Sequence, residues 1–251
     1  MKVRLDKLLV ERGLVPSRER AQALILAGRV LVNEQKLEKA GAGVGHDAAI
    51  RILGDPMPYV SRGGVKLACA LEHWQIDVAG ATCLDVGAST GGFTDCLLQA
   101  GASQVIAIDT GYGQMDARLR SDSRVRLLEK TNARHLTPEQ LWGQEPPRPI
   151  ALVAVDVSFI SATLVLPAVA RCVQLGSPSW ELVLLVKPQF EAGREQVGKG
   201  GIVRDAGVQF IVLTKVAAAV AELGGSKLSA IESPILGAEG NREFLLHAIF
   251  R

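Results

Sequence analysis

The sequence has few of the residues that build disulfide or zinc frameworks. Its four cysteines stand at positions 69, 83, 96 and 172, no two of them form a Cys-x-x-Cys pair, and its four histidines are scattered. Zinc sites and small disulfide-bonded domains need paired, closely spaced ligands. We therefore expect free thiols, no bound metal and a reducing, cytoplasmic environment.

Long apolar runs are also missing. The most apolar stretch, residues 162–170, is far shorter than the roughly 20 residues that cross a bilayer as a helix. The chain starts with Met1, Lys2 and Arg4 rather than with the apolar segment of a secretory signal. We therefore expect neither a membrane protein nor a secreted one.

The sequence also lacks a large excess of positive or negative charge, since its formal net charge is only +2. Residues 1–55 nevertheless hold ten Lys or Arg against seven Asp or Glu, so the positive excess lies in this first segment. A positive surface attracts anionic partners such as nucleic acids, although so small an excess does not identify one.

Residues 1–55 predict a small separate α+β module. Leucines recur at helical spacing near its start, and Ser17 is a suitable N-cap for a second helix. Short strand-like runs follow at 30–32 and 50–53. Residues 56–61 contain two prolines and predict a linker, because proline cannot continue a helix or a central strand.

Apolar strand-like runs alternate with helical patterns in residues 62–251. Runs that are apolar on both faces and separated by helices are typical of a parallel sheet covered by helices on both sides. The last two runs are joined by a turn, so we expect one antiparallel strand. The sequence therefore predicts an α/β fold with a Rossmann-like, seven-stranded sheet. The runs lie at residues 83–86, 105–108, 125–128, 152–155, 182–186, 228–233 and 244–250.

A glycine-rich loop directly follows the first strand of this sheet. Glycines at such a turn let the backbone approach a ligand closely. The spacing is not the Gly-x-Gly-x-x-Gly of dinucleotide sites, and no Gly-Lys-Ser or Gly-Lys-Thr phosphate loop follows. The loop therefore predicts a cofactor without a pyrophosphate. Its candidate binding residues are Asp85, Gly87, Ala88, Ser89, Gly91, Gly92 and Phe93.

Two polar residues follow the next two strands. Asp109 ends the second strand, where a carboxylate can accept hydrogen bonds from both hydroxyls of a ribose. Asn132 follows the third strand, where it can meet an adenine. Taken alone, Asp109 is equally typical of an ordinary turn, and Asn132 is more typical of a turn than of a binding site. Together with the glycine loop, a ribose site without a phosphate site predicts S-adenosylmethionine as the cofactor.

Four charged residues form the candidate catalytic set. Asp156 and Lys187 end apolar strands, where a buried charge is unfavourable unless it is paired or catalytic. Lys66 lies early in a predicted helix over 62–73. Glu239 follows the sixth strand.

Methyl transfer to a hydroxyl requires removal of the hydroxyl proton, and a neutral lysine can accept it. We predict Lys187 as this base and Glu239 as its partner, with Asp156 and Lys66 orienting the hydroxyl. A sulfonium donor leaves as a neutral thioether, so this chemistry does not call for a metal.

With these motifs collected, the chain resembles the TlyA family, also labelled hemolysin A-like, of rRNA cytidine 2′-O-methyltransferases. The resemblance implies an FtsJ-like S-adenosylmethionine methyltransferase domain over 62–251. It also implies, over 1–55, the αL RNA-binding module shared with a small-subunit ribosomal protein. The most specific stretches are residues 61–67, 85–94, 156–161, 187–191, 198–201 and 233–241.

The resemblance also assigns roles and partners. It places the family's Lys-Asp-Lys-Glu tetrad on Lys66, Asp156, Lys187 and Glu239. The implied partner is ribosomal RNA or an assembled ribosomal subunit, with the large subunit favoured.

RNA binding requires cations that contact phosphates. The basic, glycine-rich residues 194–204 predict a loop that closes over the target nucleotide. The candidate RNA-binding residues are Arg4, Lys7, Arg18, Arg20, Arg29, Arg62 and Lys199.

Three other functions stay open at this level: methylation of a base nitrogen or carbon, a non-catalytic RNA-binding factor that keeps the fold, and a membrane-lytic protein. The fourth strand ends in Asp156-Val157-Ser158 rather than in an Asn-Pro-Pro-Tyr motif, which disfavours base methylation. Analysis of the product nucleoside separates base methylation from ribose methylation, and loss of methyl transfer in Lys187→Ala separates an enzyme from a non-catalytic factor. The sequence gives no indication of the oligomeric state.

Overall fold

The computed structural model describes residues 2–15, 17–53, 58–237 and 239–251. The chain divides into two compact units, residues 1–57 and 58–251. Residues 56 and 57 of the predicted linker lie outside the described residues. The rest of that segment packs on the larger unit, where the backbone N–H of Val60 donates to Asp95 Oδ2 at 2.8 Å.

The smaller unit, in its described part, combines two helices with two small antiparallel sheets. Strand β1 pairs with β4, and the other sheet has the order β3-β2-β5. The predicted N-cap is confirmed, because Ser17 Oγ accepts a hydrogen bond from the Arg20 N–H at 3.2 Å. The elements are β1 (Lys2–Arg4), α1 (Leu5–Glu11), α2 (Arg18–Leu26), β2 (Val30–Val32), β3 (Gln35–Lys36), β4 (Gly43–Gly45) and β5 (Ile50–Ile52).

The helical spacing of leucines explains the core of this unit. Leu5, Leu8 and Leu9 are fully buried on one face of α1 and pack with Ile25 of α2. The turn between β2 and β3 has positive φ at both of its central residues, as a tight two-residue hairpin turn requires. The predicted α+β module is confirmed.

The larger unit contains the predicted seven-stranded sheet. Its strand order is β11-β12-β10-β9-β6-β7-β8. Among these described strands, β12 runs in the direction opposite to the other six. The strands are β6 (Thr82–Val86), β7 (Gln104–Ile108), β8 (Val125–Leu128), β9 (Leu152–Val155), β10 (Trp180–Val186), β11 (Ser226–Glu232) and β12 (Phe244–Phe250).

Helices cover both faces of the sheet, which explains why its central strands are apolar on both sides. Successive strand residues alternate between two cores: Leu84 and Val86 pack on one face, and Cys83 packs on the other. The helices are α3 (Arg62–Trp74), α4 (Gly92–Gln99), α5 (Ala117–Arg120), α6 (Pro138–Trp142), α7 (Ala162–Gln174), α8 (Pro188–Glu191) and α9 (Ala206–Glu222).

The strand order places a topological switch between β6 and β9. From β6 the chain continues outward to β7 and β8, and it then returns to the other side of β6 as β9 and β10. Open α/β sheets bind ligands in the crevice at the carboxyl ends of such strands. None of the described helices combines the length and apolar character that crossing a membrane requires.

Candidate active site

A cavity of about 440 Å³ opens at the carboxyl ends of β6 to β9. Its size is typical of a small-molecule site, and it lies at the switch between β6 and β9. Four loops line it: Gly87 and Ser89 after β6, Asp109 to Gly111 with Gln114 after β7, Thr131 to Ala133 after β8, and Asp156 to Ile160 after β9.

Gly87 lets the loop after β6 lie directly against the end of β9. Its φ is +90°, and a Cβ at this position would lie 2.5 Å from the carbonyl oxygen of Asp156. Any larger residue would force the two strand ends apart. Gly87 thereby brings the predicted cofactor loop next to the predicted catalytic residue Asp156.

Gly92 has a similar role toward α3. A Cβ there would lie 2.2 Å from Ser61 Oγ and 3.0 Å from the Gly64 nitrogen. Phe93 is 3% exposed and belongs to the core beneath α3. These two predicted cofactor residues therefore pack the loop against the helix that carries Lys66, and neither lines the cavity. Asp85, Ala88 and Gly91 are also outside the cavity lining.

Asp109 holds the glycine-rich loop to its own strand end. Its two oxygens accept hydrogen bonds from the backbone N–H groups of Ser89 at 2.7 Å and Gly111 at 2.6 Å. Each carboxylate oxygen has a further lone pair for a ligand hydroxyl. Asn132 also lines the cavity, and its Oδ1 caps the following 3-10 turn by accepting from the Arg134 N–H at 3.0 Å.

Asp85 is fully buried beneath the loop. Thr94 Oγ1 donates to its Oδ2 at 2.6 Å, and its Oδ1 has no hydrogen-bond partner among the described residues. Burial, with the nearby Asp156 and Asp109 carboxylates adding to it, raises the pKa of Asp85 to about 7. Asp85 therefore has a structural role beneath the glycine-rich loop.

The buried Asp85 predicts a stability that falls as pH rises. Its pKa of about 7 in the folded chain lies above the 3.8 of an unperturbed Asp, so between these values the folded state binds more protons. We expect Asp85→Asn, which cannot ionise, to lessen the drop in Tm between about pH 5 and about pH 8. Thermal unfolding of wild type and variant across this range measures it. If the Tm of wild type and variant changed with pH in parallel, the raised pKa of Asp85 would be contradicted.

Lys187 and Asp156 form an ion pair at adjacent strand ends. Lys187 Nζ lies 2.5 Å from Asp156 Oδ1, with the geometry of an ion pair rather than of a directed hydrogen bond, and it donates to Ser158 Oγ at 2.7 Å. The Lys187 side chain is 11% exposed and that of Asp156 is 22% exposed. Asp156 and Ser158 line the cavity, and Lys187 contacts both of them without itself belonging to the lining.

Lys66 forms a second, more deeply buried ion pair. Its Nζ lies 2.5 Å from Glu243 Oε2, and the two side chains are 10% and 3% exposed. Glu239, which the sequence analysis assigned as the partner of Lys187, is exposed and forms an ion pair with neither lysine. The prediction that Glu239 holds Lys187 is therefore wrong in this structure. Glu243 is the buried acid of the site.

The register of the antiparallel strand explains the difference. Val186 of β10 pairs with Phe244 of β12, so the next residues on the two strands are Lys187 and Glu243. Glu239 lies within the preceding turn, where Gly237 and Gly240 are joined by a backbone hydrogen bond of 3.0 Å. Four consecutive residues of β12, Leu245 to Ala248, are buried, so the strand has no alternating pattern that would single out Glu243 from the sequence.

Glu191 joins the two segments that carry Asp156 and Lys187. Its Oε1 accepts from the Ala162 N–H at 2.6 Å and its Oε2 from Ser161 Oγ at 2.5 Å, at the start of α7. Burial raises the pKa of Glu191. Glu191 lies in the stretch 187–191, and no role was predicted for it from the sequence.

An aromatic pair stands beside the Lys187 ion pair. Phe159 is 91% exposed, has a φ of +64° that is unfavourable for a phenylalanine, and lies 5.2 Å from the Phe190 ring. A largely exposed aromatic ring on a strained backbone favours a binding role. No pattern in the sequence predicted a role for this aromatic pair.

Comparison with known proteins identifies the larger unit. Residues 59–250 match the FtsJ-like methyltransferase family. The chain belongs to this family. Residues 3–50 match the S4 domain.

Full-length relatives place this FtsJ-like methyltransferase among the TlyA proteins. It is 45% identical over 246 residues to the 16S/23S rRNA (cytidine-2'-O)-methyltransferase TlyA of Mycobacterium tuberculosis, covering 98% of this chain and 89% of the relative. It is 40% identical over 247 residues to Hemolysin A of Brachyspira hyodysenteriae, covering 98% and 100% of the two chains.

A solved structure supports the same grouping. A hemolysin-named chain from Streptococcus thermophilus superposes with a TM-score of 0.75 at 40% identity, covering 99% of this chain and 88% of that one. The predicted TlyA resemblance is confirmed.

The S4 unit of this methyltransferase carries an organised pair of arginines. Asp6 is fully buried, and its Oδ2 accepts from Arg4 Nη2 at 2.9 Å, Arg18 Nε at 2.9 Å and Gln22 Nε2 at 3.1 Å. These contacts hold the pKa of Asp6 well below its usual range. The Arg4 and Arg18 side chains are 48% and 45% exposed, so their outer N–H groups face solvent.

The other predicted RNA-binding residues lie at several places. Lys7 and Arg29 are exposed on the S4 unit, and Arg20 is partly exposed there. Arg62, at the start of α3, donates from Nη2 to the Leu236 carbonyl oxygen. Lys199 is exposed.

Removing three of these cations from the S4 unit should weaken RNA binding. We expect Arg18→Ala, Arg20→Ala and Arg29→Ala together to lower the affinity for a ribosomal subunit and to reduce the salt dependence of binding by about two units, as the loss of three phosphate contacts implies. Cofactor affinity should not change. Filter binding at several salt concentrations measures the effect, with thermal unfolding alongside because Arg18 pairs with buried Asp6. Subunit affinity equal to wild type would reject the assignment.

Proposed function

We propose that the protein transfers a methyl group from S-adenosylmethionine to the ribose 2′-hydroxyl of a cytidine in ribosomal RNA. The observation that carries this proposal is the ion pair between Lys187 and the cavity-lining Asp156, with Glu243 of the Lys66–Glu243 pair directly before the adjacent strand β12. The TlyA relative of Mycobacterium tuberculosis bears the name of this activity.

The cavity residues fit S-adenosylmethionine. Asp109 offers carboxylate lone pairs to ribose hydroxyls, and Gly87 gives a close backbone approach that a Cβ would block. Asn132 offers an amide at the cavity edge for the adenine. When bound, the cofactor supplies an electrophilic methyl group on a positively charged sulfur.

Lys187 is suited to accept the proton of the attacking hydroxyl. In its neutral form the amine takes the proton, and the ammonium that results is the form that pairs with Asp156 Oδ1. Asp156 therefore stabilises the product of proton transfer. Ser158 Oγ, which accepts a hydrogen bond from Lys187 Nζ, fixes the direction of the amine.

Lys66 and Glu243 orient the nucleotide in this proposal. Their mutual contact neutralises two charges that would be unfavourable apart in a buried position. The remaining N–H groups of Lys66 are donors for the ribose oxygens. Correct placement of the hydroxyl against the methyl group is the main contribution of such residues to the rate.

The aromatic pair of Phe159 and Phe190 offers a stacking surface for the target base. Bases that are taken out of a helix are held on aromatic rings in RNA-binding proteins. The exposure of Phe159 and its position directly after Ser158 support contact with the base of the nucleotide whose ribose meets Lys187. The S4 unit and its arginines supply the phosphate contacts that this substrate needs.

The direct test uses labelled S-adenosylmethionine with each unmethylated ribosomal subunit. We expect label at a cytidine ribose, which makes the adjoining linkage resistant to alkaline cleavage, with the large subunit the favoured substrate. A base-methylated nucleoside would contradict the proposed acceptor atom. Binding of cofactor and subunit without any transfer would favour a non-catalytic RNA-binding factor instead.

A further inference from the structure

Residues 198–203 form a small hairpin with Lys199 near its tip, named here the Lys199 hairpin. The Gly198 N–H donates to the Ile202 carbonyl at 3.1 Å, and the Gly201 N–H donates to the Gly198 carbonyl at 3.1 Å. Gly200 and Gly201 have positive φ angles of +79° and +73°, which glycine adopts without strain. The hairpin is therefore an ordered turn that presents a lysine to solvent.

One buried amide holds this hairpin. Asn241 is 1% exposed; its Oδ1 accepts from the Val203 N–H at 2.9 Å, and its Nδ2 donates to the Gly201 carbonyl at 2.8 Å. Gln209 of α9 adds a further bond, from Nε2 to the Val203 carbonyl at 2.7 Å. Asn241 thus pairs the Val203 N–H and the Gly201 carbonyl, which have no other hydrogen-bond partner among the described residues.

The same short segment carries the buried acid of the site. Glu243, two residues after Asn241, pairs with Lys66, and its backbone carbonyl accepts from the Ser233 N–H at 2.9 Å. The carbonyl of Asn241 accepts from the Gly237 N–H at 2.8 Å. Residues 241–243 are therefore fixed on one side to the catalytic ion pair and on the other to the Lys199 hairpin.

We propose that Asn241 is a positioning residue that holds the Lys199 hairpin as a preformed contact for the RNA backbone, in fixed relation to Glu243. This inference rests on the proposed function, because it needs an RNA substrate. A contact that is already ordered loses less conformational entropy on binding than a mobile one. The assignment differs from the sequence-based expectation of a loop that closes over the nucleotide.

A double-mutant cycle tests whether Lys199 acts through Asn241. Asn241→Asp keeps the acceptor for the Val203 N–H and loses the donor to the Gly201 carbonyl. We expect Lys199→Ala to weaken subunit binding roughly three- to tenfold in the wild-type background and to lower the salt dependence by about one unit. In the Asn241→Asp background, the same change should alter affinity less than about twofold, because coupled residues are non-additive.

A matched control separates positioning from general destabilisation. Ser177 is a buried polar residue of the same unit, 3% exposed, whose Oγ accepts from the Ile150 N–H at 2.7 Å. In a Ser177→Ala background, Lys199→Ala should keep its full effect. An equal Lys199→Ala effect in the wild-type and Asn241→Asp backgrounds, or no effect in wild type, would overturn the proposal.

Two further measurements keep the test decisive. If Asn241→Asp fails to fold, hydrogen exchange of the wild-type Val203 amide replaces the cycle: slow exchange supports a fixed hairpin, and exchange at the rate of an open loop overturns it. Ribose methylation by the wild-type protein is measured in parallel. Absent methylation would count against the proposed function. Intact methylation, with effects of Lys199→Ala and Asn241→Asp that simply add, would count only against the positioning role of Asn241.

Discussion

Replacing Lys187 by alanine should lower methyl transfer to ribosomal RNA by about 10²- to 10⁴-fold, which is the usual contribution of a general base. Cofactor and subunit affinity should stay close to wild type, because Lys187 contacts Asp156 and Ser158 rather than the glycine loop. The Asp156 side chain is 22% exposed, and the space that the Lys187 side chain vacates lets water reach its buried Oδ1, so the fold should survive. Single-turnover transfer with saturating cofactor measures the loss.

The control for Lys187 is a lysine of the same unit outside the site. Lys227 is exposed on β11 and forms no ion pair among the described residues, so Lys227→Ala should transfer methyl groups at the wild-type rate. A Lys187→Ala protein with wild-type turnover would remove the proposed base. Loss of cofactor binding in this variant would show that Lys187 acts on the cofactor instead.

Glu243→Gln should have the second large effect, and Glu239→Gln should have almost none. Removing the Glu243 charge leaves the ammonium of Lys66 buried without its partner, and breaking a buried pair in this way costs about 3 kcal/mol or more. We expect a clear drop in Tm and at least a roughly tenfold loss of methyl transfer as Lys66 moves. Glu239 is exposed, so its amide variant should behave as wild type.

The two glutamate variants are matched in chemistry and lie four positions apart, which makes the comparison sharp. Thermal unfolding and single-turnover transfer, measured on both, are sufficient. If Glu239→Gln lost activity while Glu243→Gln kept it, the sequence-based assignment of Glu239 would be restored and the buried pair would be structural only.

The architecture was predictable from the sequence because strands, turns and helix caps are indicated by residues that are neighbours in the chain. Apolar runs of four to seven residues predicted the strands, and a charge at the end of such a run predicted Asp156 and Lys187 at one edge of the sheet. Parallel strands direct their carboxyl ends to the same edge, so the pairing of these two residues was within reach of sequence reasoning. The tight turn before β3 and the Ser17 cap were predictable for the same reason.

The choice between Glu239 and Glu243 was not predictable from local signals. It depends on the register of β12 against β10, which is set by packing across the sheet rather than by the turn residues. Asn241 and Glu191 were missed for a related reason. Their partners lie 29 to 40 residues away in the chain, so nothing near them in the sequence indicates a bond.

The glycine-rich loop shows a second limit of sequence reasoning. Seven residues of this region were predicted to bind the cofactor, yet only Gly87 and Ser89 of them line the cavity. Gly92 and Phe93 pack against α3 instead. A glycine required for a close approach has the same sequence signature whether the approaching group is a ligand or a helix.

A crystal structure of the protein with bound S-adenosylmethionine tests the central claim most directly. We predict the cofactor ribose at Asp109 and the sulfonium methyl on the side of the cavity formed by Asp156 and Ser158, facing the Lys187 amine. A methyl group directed instead toward Thr110 and Gln114, away from both lysines, would contradict the assignment of Lys187 as the base.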